Sequence, residues 1–315
     1  MAQYTVLNDE SIQTILIHYG IEKVTSYKIL SGGSENTNYL INTNGKAFVL
    51  TVCEQKSVQE AEELASLLNY LERNNFSTSK LVKAKTGKLT VTFSNKPIIL
   101  KEFIEGDILQ DFPDNLLVYL GEELAKLHQV KVPNYVPKTL NYGSIDRFDE
   151  VQVYAPDSSF YKWLKEVKTY IKKYIYPELP KSLIHSDIFY SNIIVSDDLK
   201  TGTIMDFEEA CYYYRVFDIG MMIVGTCCQE ETINLHKAKK LLKGYQQNIK
   251  LKEVEIEALQ AFTIYGATAT AFWRHQNFNY INVIPSMKNH YVSMKNLADS
   301  ILSISINEFK TVFNK

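Results

Sequence analysis

The segment of this chain richest in groups that could do chemistry begins at His185-Ser-Asp187, and Asn192 follows five positions after the aspartate. Asp206-Phe207 comes nineteen positions after Asp187, behind the short run Thr203-Ile-Met205. A carboxylate such as Asp187 can orient a hydroxyl and take its proton as the oxygen attacks. Asn192 and Asp206 offer the hard oxygen donors that Mg²⁺ takes beside phosphate groups. These are the parts of a phosphoryl transfer, where positioning and charge stabilisation supply most of the catalysis. Strands expected at 193–195 and 203–205 would place Asn192 before the first and Asp206 at the end of the second, so that both converge on one ion. The plain alternative, a loop of solvated polar residues, does not account for Asp-Phe at a fixed distance behind a strand.

A second element lies upstream, in Ser31-Gly-Gly-Ser-Glu-Asn-Thr-Asn38 between two expected strands. Glycines let backbone N–H groups approach phosphate oxygens, so Gly32, Gly33, Ser34 and Asn36 are candidates for covering a nucleotide's phosphates. A Gly-Gly hairpin turn is the commoner explanation for such a run taken alone.

The elements that must position these groups change character along the chain. The first hundred residues read as strands at 25–31, 37–43, 46–53, 88–94 and 97–104, with a helix at about 9–19. Asn44-Gly45 signals a two-residue hairpin of type I′, whose central residues both need positive φ. Ser57-Val-Gln-Glu60 is a capping box opening a helix to about Asn74, with Ala61, Leu64, Leu67, Leu68 and Leu71 at helical spacing. Beyond Glu105-Gly106, helical periodicity runs through 113–129, 158–175, 232–248, 253–276 and 286–305, and 183–228 mixes short apolar strands with polar loops. The expected architecture is α+β in two lobes, a small antiparallel-sheet lobe at 1–104 and a larger, mostly helical lobe at 105–315.

Composition excludes several classes. The chain has 315 residues, with 34 Lys and Arg against 36 Asp and Glu, and so lacks the basic footprint of a nonspecific nucleic-acid binder. No stretch approaches the roughly 18 apolar residues that span a membrane, and the start MAQYTVLNDESIQ lacks the form of a signal peptide. Cys53, Cys211, Cys227 and Cys228 show no metal-ligand spacing and read as buried reduced thiols of a cytoplasmic protein.

His185-x-Asp187-x₄-Asn192 with the later Asp206-Phe207 matches the catalytic loop and metal site of the kinase template. Together with Gly32-Gly33-x-x-Asn36-x-x-Tyr39, Leu100-Lys-Glu-Phe-Ile-Glu-Gly106, Leu124-Ala-x-Leu-His128 and Tyr214-x-x-Phe-Asp218, the pattern resembles the aminoglycoside phosphotransferase and choline kinase superfamily over nearly the whole chain. That resemblance implies a two-lobed protein-kinase-like fold with ATP between the lobes, adenine near Glu102, Phe103 and Ile104, and Mg²⁺ on Asn192 and Asp206. Within the superfamily the run Gly33-Ser-Glu-Asn-Thr-Asn-Tyr-Leu40 and then Phe48-Val-Leu-Thr-Val-Cys-Glu54 is most similar to the kinase-fold homoserine kinases. It implies phosphorylation of homoserine on the route to threonine. Choline, ethanolamine, hydroxylysine or an aminoglycoside is the alternative acceptor.

One departure stands out. Most kinases of this fold carry a phosphate-pairing lysine on the third strand, where this chain has Thr51. A nucleotide-binding protein without catalysis is the reading Thr51 suggests, and Asp187, Asn192 and Asp206 oppose it. For an amino-acid acceptor, Arg274 is the candidate for its carboxylate, because the planar guanidinium binds carboxylates in two places. An anchoring pair with one of the protein's own carboxylates is the alternative role for that arginine. Glu208 and Tyr190 are the further candidates for contacting a small amino alcohol. The loop 131–157, with three of the eight prolines, is assigned no role.

Overall fold

The structure is a computed structural model that describes residues 5–30, 36–141 and 143–313. The chain divides into two compact units, Met1–Glu105 and Gly106–Lys315. In the first, α1 (Asp9–Ile17) is followed by β1 (Ser26–Ile29), β2 (Asn36–Asn42), β3 (Ala47–Cys53), α2 (Val58–Arg73), β4 (Thr90–Phe93) and β5 (Lys96–Glu102). The strands form one antiparallel sheet in the order β1-β2-β3-β5-β4.

Both faces of this sheet are covered, which explains why Leu50 through Cys53 are buried without alternation. Tyr39, Ile41, Leu50, Val52, Ile98 and Leu100 pack with Ile12, Ile15 and Leu16 of α1. Cys53 and Ile99 pack on the opposite face with Ala61 and Ala65 of α2. The Ser57 capping box forms as expected, each partner's side chain bonding the other's backbone N–H at 3.2 and 2.8 Å.

Both expected hairpins form, and the difference from expectation lies in turn type. Thr43 N–H bonds Lys46 O at 2.9 Å, so a turn does form at Asn44-Gly45, but only Gly45 has positive φ, +102°. The double positive φ of a type I′ turn occurs instead at Ser94 (48°) and Asn95 (64°).

The second unit contains α3 (Asp114–Gln129), α4 (Val151–Tyr154), α5 (Ser159–Lys172), β6 (Lys181–Ile184), β7 (Ile193–Val195), β8 (Gly202–Ile204), β9 (Cys211–Tyr214), α6 (Arg215–Thr226), α7 (Leu235–Asn248), α8 (Glu253–Gln276) and α9 (Tyr291–Ser303). Two small antiparallel pairs, β6 with β9 and β7 with β8, lie among helices. The helix expected at 286–305 is divided, a 3₁₀ turn at Pro285–Met287 preceding α9.

Within 183–228, where strands and loops were expected, the chain also forms α6. Every residue of α6 after Arg215 is buried. Val216 to Thr226 form a short, almost wholly apolar run, which periodicity alone does not separate from a buried strand. Glycines bring neighbouring helices together. A Cβ on Gly121 of α3 would lie 2.0 Å from Leu241 O of α7, and one on Gly244 of α7 would lie 1.9 Å from Val118 O of α3.

Candidate functional site

The loop after β6 is held by a carboxylate from inside the fold. Asp218, in the first turn of α6, has no exposed surface. Its Oδ1 accepts from Ser186 N–H at 2.7 Å and its Oδ2 from His185 N–H at 2.9 Å. His128 of α3 reaches the same Oδ2 through Nε2 at 3.2 Å, while its Nδ1 meets the Tyr245 hydroxyl of α7 at 2.8 Å. A carboxylate buried this deeply persists only where donors satisfy it, and here those donors are the backbone of the loop it positions. Gly225 of α6 supports the loop's other side, since a Cβ there would lie 2.1 Å from Ile188 O.

His185 joins the loop to the segment bearing Asp206. Its Nδ1 accepts from Asp187 N–H at 3.2 Å, so the proton sits on Nε2, which donates to Met205 O at 2.9 Å. The ring also lies 4.6 Å from that of Phe207. Both nitrogens are engaged in structure, and His185 is not placed to take a proton from a substrate. Ser186 and Asp206 adopt left-handed φ of 70° and 69°, a conformation non-glycine residues hold only where surrounding contacts impose it. Ser186 Oγ supplies one such contact, donating to Glu209 O at 2.7 Å.

Asp187 and Asn192 meet directly. Asn192 Nδ2 donates to Asp187 O at 2.9 Å and approaches Asp187 Oδ2 at 3.4 Å. With its amide nitrogen turned to Asp187, Asn192 presents Oδ1 as its acceptor for a cation. Asn192 closes the 3₁₀ turn Tyr190–Asn192 before β7, and its carbonyl accepts Met205 N–H at 2.9 Å, next to Asp206. Asp206 is exposed, while Asp187 and Asn192 are half-buried. Among the described residues no cluster of three or more His, Cys, Asp or Glu could hold a metal. Asn192 Oδ1 and the Asp206 carboxylate are nonetheless hard donors suited to Mg²⁺, which ordinarily completes its shell with phosphate and water.

The other expected residues fall in several places. Gly32, Gly33 and Ser34 lie outside the described residues. Asn36 opens β2. Glu102 ends β5 and is exposed; its N–H bonds Lys80 O at 2.8 Å, and Phe103 N–H bonds Ala47 O at 3.0 Å. Ile104 is half-buried. Thr51 is buried, opposite Asn38 on β2 and Ile99 on β5, and its hydroxyl donates to Asn38 Oδ1 at 2.7 Å. Tyr190 and Glu208 are half-buried, in the turn before Asn192 and the turn after Asp206. Arg274, near the end of α8, reaches His290 O and Ser293 Oγ, both at 3.4 Å.

Sequence reasoning passed over Arg147 and Glu150, in a 3₁₀ turn at Ile145–Glu150. They form a two-point ion pair, Nε to Oε1 at 2.8 Å and Nη2 to Oε2 at 3.2 Å, and Gln276 of α8 donates to Glu150 Oε2 at 2.9 Å. No motif marks them. An Arg-x-x-Glu spacing within an unassigned loop is ordinary surface chemistry until the fold shows what surrounds it.

Comparison with known proteins accords with this geometry. Residues 26–247 match the model of the phosphotransferase enzyme family (APH). A homoserine kinase of Rhizobium meliloti (strain 1021) is 29% identical over 271 residues, covering 82% of this chain and 81% of that protein. Among solved structures, amicoumacin kinase in complex with AMP-PNP, Ca²⁺ and Ami superposes with a TM-score of 0.72 at 16% identity, over 96% of this chain and 97% of the other. A spectinomycin phosphotransferase in complex with ADP and spectinomycin gives 0.67 at 17% identity, with 98% of each chain covered. At these identities the structural similarity is one of fold, and the family match extends over most of the chain and both of its units. The chain belongs to the phosphotransferase enzyme family.

Proposed function

We propose that this protein transfers the γ-phosphoryl group of ATP to the hydroxyl of a small amino-bearing molecule, with L-homoserine as the acceptor and O-phospho-L-homoserine as the product. The contact between Asn192 and Asp187, on a loop fastened by Asp218, carries the proposal. Asp187 orients the acceptor hydroxyl and receives its proton. Asn192 steadies that carboxylate through Nδ2 and, with Asp206, supplies the oxygen donors for Mg²⁺. When bound, Mg²⁺ neutralises charge on the transferring phosphoryl group. Gly32, Gly33, Ser34 and Asn36 serve the nucleotide's phosphates, and Glu102, Phe103 and Ile104 its base. Tyr190 and Glu208 belong to the acceptor side.

Homoserine is favoured over choline, ethanolamine or an aminoglycoside by the curated homoserine kinases that the chain resembles over four-fifths of its length. The proposed product, O-phospho-L-homoserine, lies on the route to threonine. A cytoplasmic setting suits the four free cysteines, and no described helix is long and apolar enough to cross a membrane.

The test is ADP release with Mg-ATP and L-homoserine, choline, ethanolamine or kanamycin, in wild type and Asp187→Asn. Homoserine-dependent release that falls by about 10²–10⁴ in the variant is the expected result, the usual loss for a general base. Turnover of a different acceptor overturns homoserine and keeps the chemistry. ATP binding without turnover of any acceptor favours the non-catalytic reading that Thr51 suggests.

A further inference from the structure

A second polar cluster lies at the far end of α8, where the helix passes into a π-helical turn at Asn277–Ile281. Such turns break the regular hydrogen-bond ladder and occur often at functional sites. Two polar atoms here are buried with no hydrogen-bond partner among the described residues, His275 Nδ1 and the Tyr154 hydroxyl. His275 is only 6% exposed. Its ring stacks on Phe160 at 4.1 Å and on Tyr154 at 6.0 Å, and Tyr154 packs on Tyr280 at 4.2 Å. Buried polar atoms are nearly always satisfied, so the two orphans on this aromatic wall are places for ordered water.

The Arg147–Glu150 pair borders this wall. Gln276, which follows His275, donates to Glu150, and the charges of Glu150 and Arg147 both act on Tyr154. Glu209, whose carbonyl accepts from Ser186 beside Asp187, is one of the charges that act on Arg147. Both members are 40% exposed. Arg147 has five N–H donors, of which two serve Glu150 and a third makes only a 3.4 Å contact to Asn141 O. A cation and an anion held side by side, each with bonding capacity left, match the carboxylate and ammonium of an α-amino acid.

We infer that Arg147 and Glu150 form the recognition subsite for a zwitterionic amino-acid acceptor, Arg147 binding the α-carboxylate and Glu150 the α-ammonium, against the wall of Tyr154, His275 and Tyr280. This rests on the amino-acid kinase proposed above. It moves carboxylate recognition from Arg274, which contacts the start of α9, to Arg147. A tyrosine face suits the ammonium as well. The subsite selects for zwitterions, because amino alcohols without a carboxylate leave Arg147 unused.

The experiment compares three acceptors: L-homoserine, 3-amino-1-propanol, which lacks the carboxylate, and 4-hydroxybutyrate, which lacks the ammonium. Steady-state kcat and KM are measured for wild type, Arg147→Met, Glu150→Gln and Arg274→Met. Removing a charge-assisted two-point contact costs about 10–100-fold. Arg147→Met is therefore expected to raise the homoserine KM by about that factor, with kcat changing far less and a much smaller effect on 3-amino-1-propanol. Glu150→Gln should show the complementary pattern, weakening homoserine and 3-amino-1-propanol more than 4-hydroxybutyrate. Equal losses on all three acceptors, or a carboxylate-selective loss in Arg274→Met in place of Arg147→Met, overturn the subsite and leave homoserine phosphorylation standing. Wild-type turnover of 3-amino-1-propanol without turnover of homoserine overturns the amino-acid reading, and the subsite with it.

Discussion

The second unit holds two arginine–glutamate pairs with nearly the same bonding and opposite surroundings. Arg215 grips Glu255 through Nε at 2.7 Å and Nη2 at 2.6 Å, as Arg147 grips Glu150 at 2.8 and 3.2 Å. The side chains of the first pair are 14% and 0% exposed, those of the second 40% each. Arg215 opens α6 and Glu255 sits in the first turn of α8, so the buried pair ties together the two helices at the centre of the unit. Neither partner can leave without stranding a charge away from water. The open pair can separate, because solvent or a zwitterion replaces each lost contact. Burial, more than bond geometry, decides whether such a pair is an anchor or an exchangeable site.

This contrast can be tested directly, starting with its largest effect. Glu255→Ala leaves Arg215, only 14% exposed, without its carboxylate, and breaking a buried pair from one side typically costs about 3–5 kcal/mol. Urea unfolding should show that loss, and the double variant Arg215→Met/Glu255→Leu should recover most of it. A loss below about 1 kcal/mol in Glu255→Ala would remove the distinction between the pairs.

A smaller effect comes from His275, on the wall beside the open pair. Burial depresses its imidazole from the usual 6.5 to about 4. The unfolded chain then takes up a proton near pH 6.5 that the folded chain refuses until about pH 4, so stability falls as pH drops through that window. A decrease on the order of 2 kcal/mol is expected between those limits. It should flatten in His275→Phe when unfolding is followed across pH 4–7. An unchanged pH profile in that variant would place the sensitivity elsewhere.

The smallest effect concerns the open pair itself. Arg147→Met and Glu150→Gln should each alter unfolding free energy by less than about 1 kcal/mol, as exposed ion pairs do. A loss comparable to that of Glu255→Ala would make the second pair an anchor too.

Much of this molecule was legible in its residues. Asn192 precedes β7 and Asp206 follows β8, as their spacing predicts, because a loop–strand–turn–strand segment is local. The sheet of the first unit was readable from short β-rich runs and from Ser57 and Glu60, whose capping box is complete within four residues. α6 was not readable, since a short apolar run between strands has the same look whether it is a buried strand or a buried helix. Turns form at both Asn44-Gly45 and Ser94-Asn95, but only the second has positive φ at both central residues, because strand pairing imposes it there.

The sequence by itself determined the chemistry on offer: a carboxylate, two hard oxygen donors and their order along a hairpin. Local spacing suffices for that, since neighbouring residues meet whatever the rest of the chain does. Tertiary structure alone decided that Asp218 grips the backbone beside Asp187, that Arg215 pairs with Glu255 and Arg147 with Glu150, and that one pair is buried while the other meets solvent. Those contacts reach across as many as 40 residues of chain, or depend on what packs around a local pair. Burial is a property of the folded surroundings, and it sets whether an identical pair of charges holds the fold or remains open to a ligand.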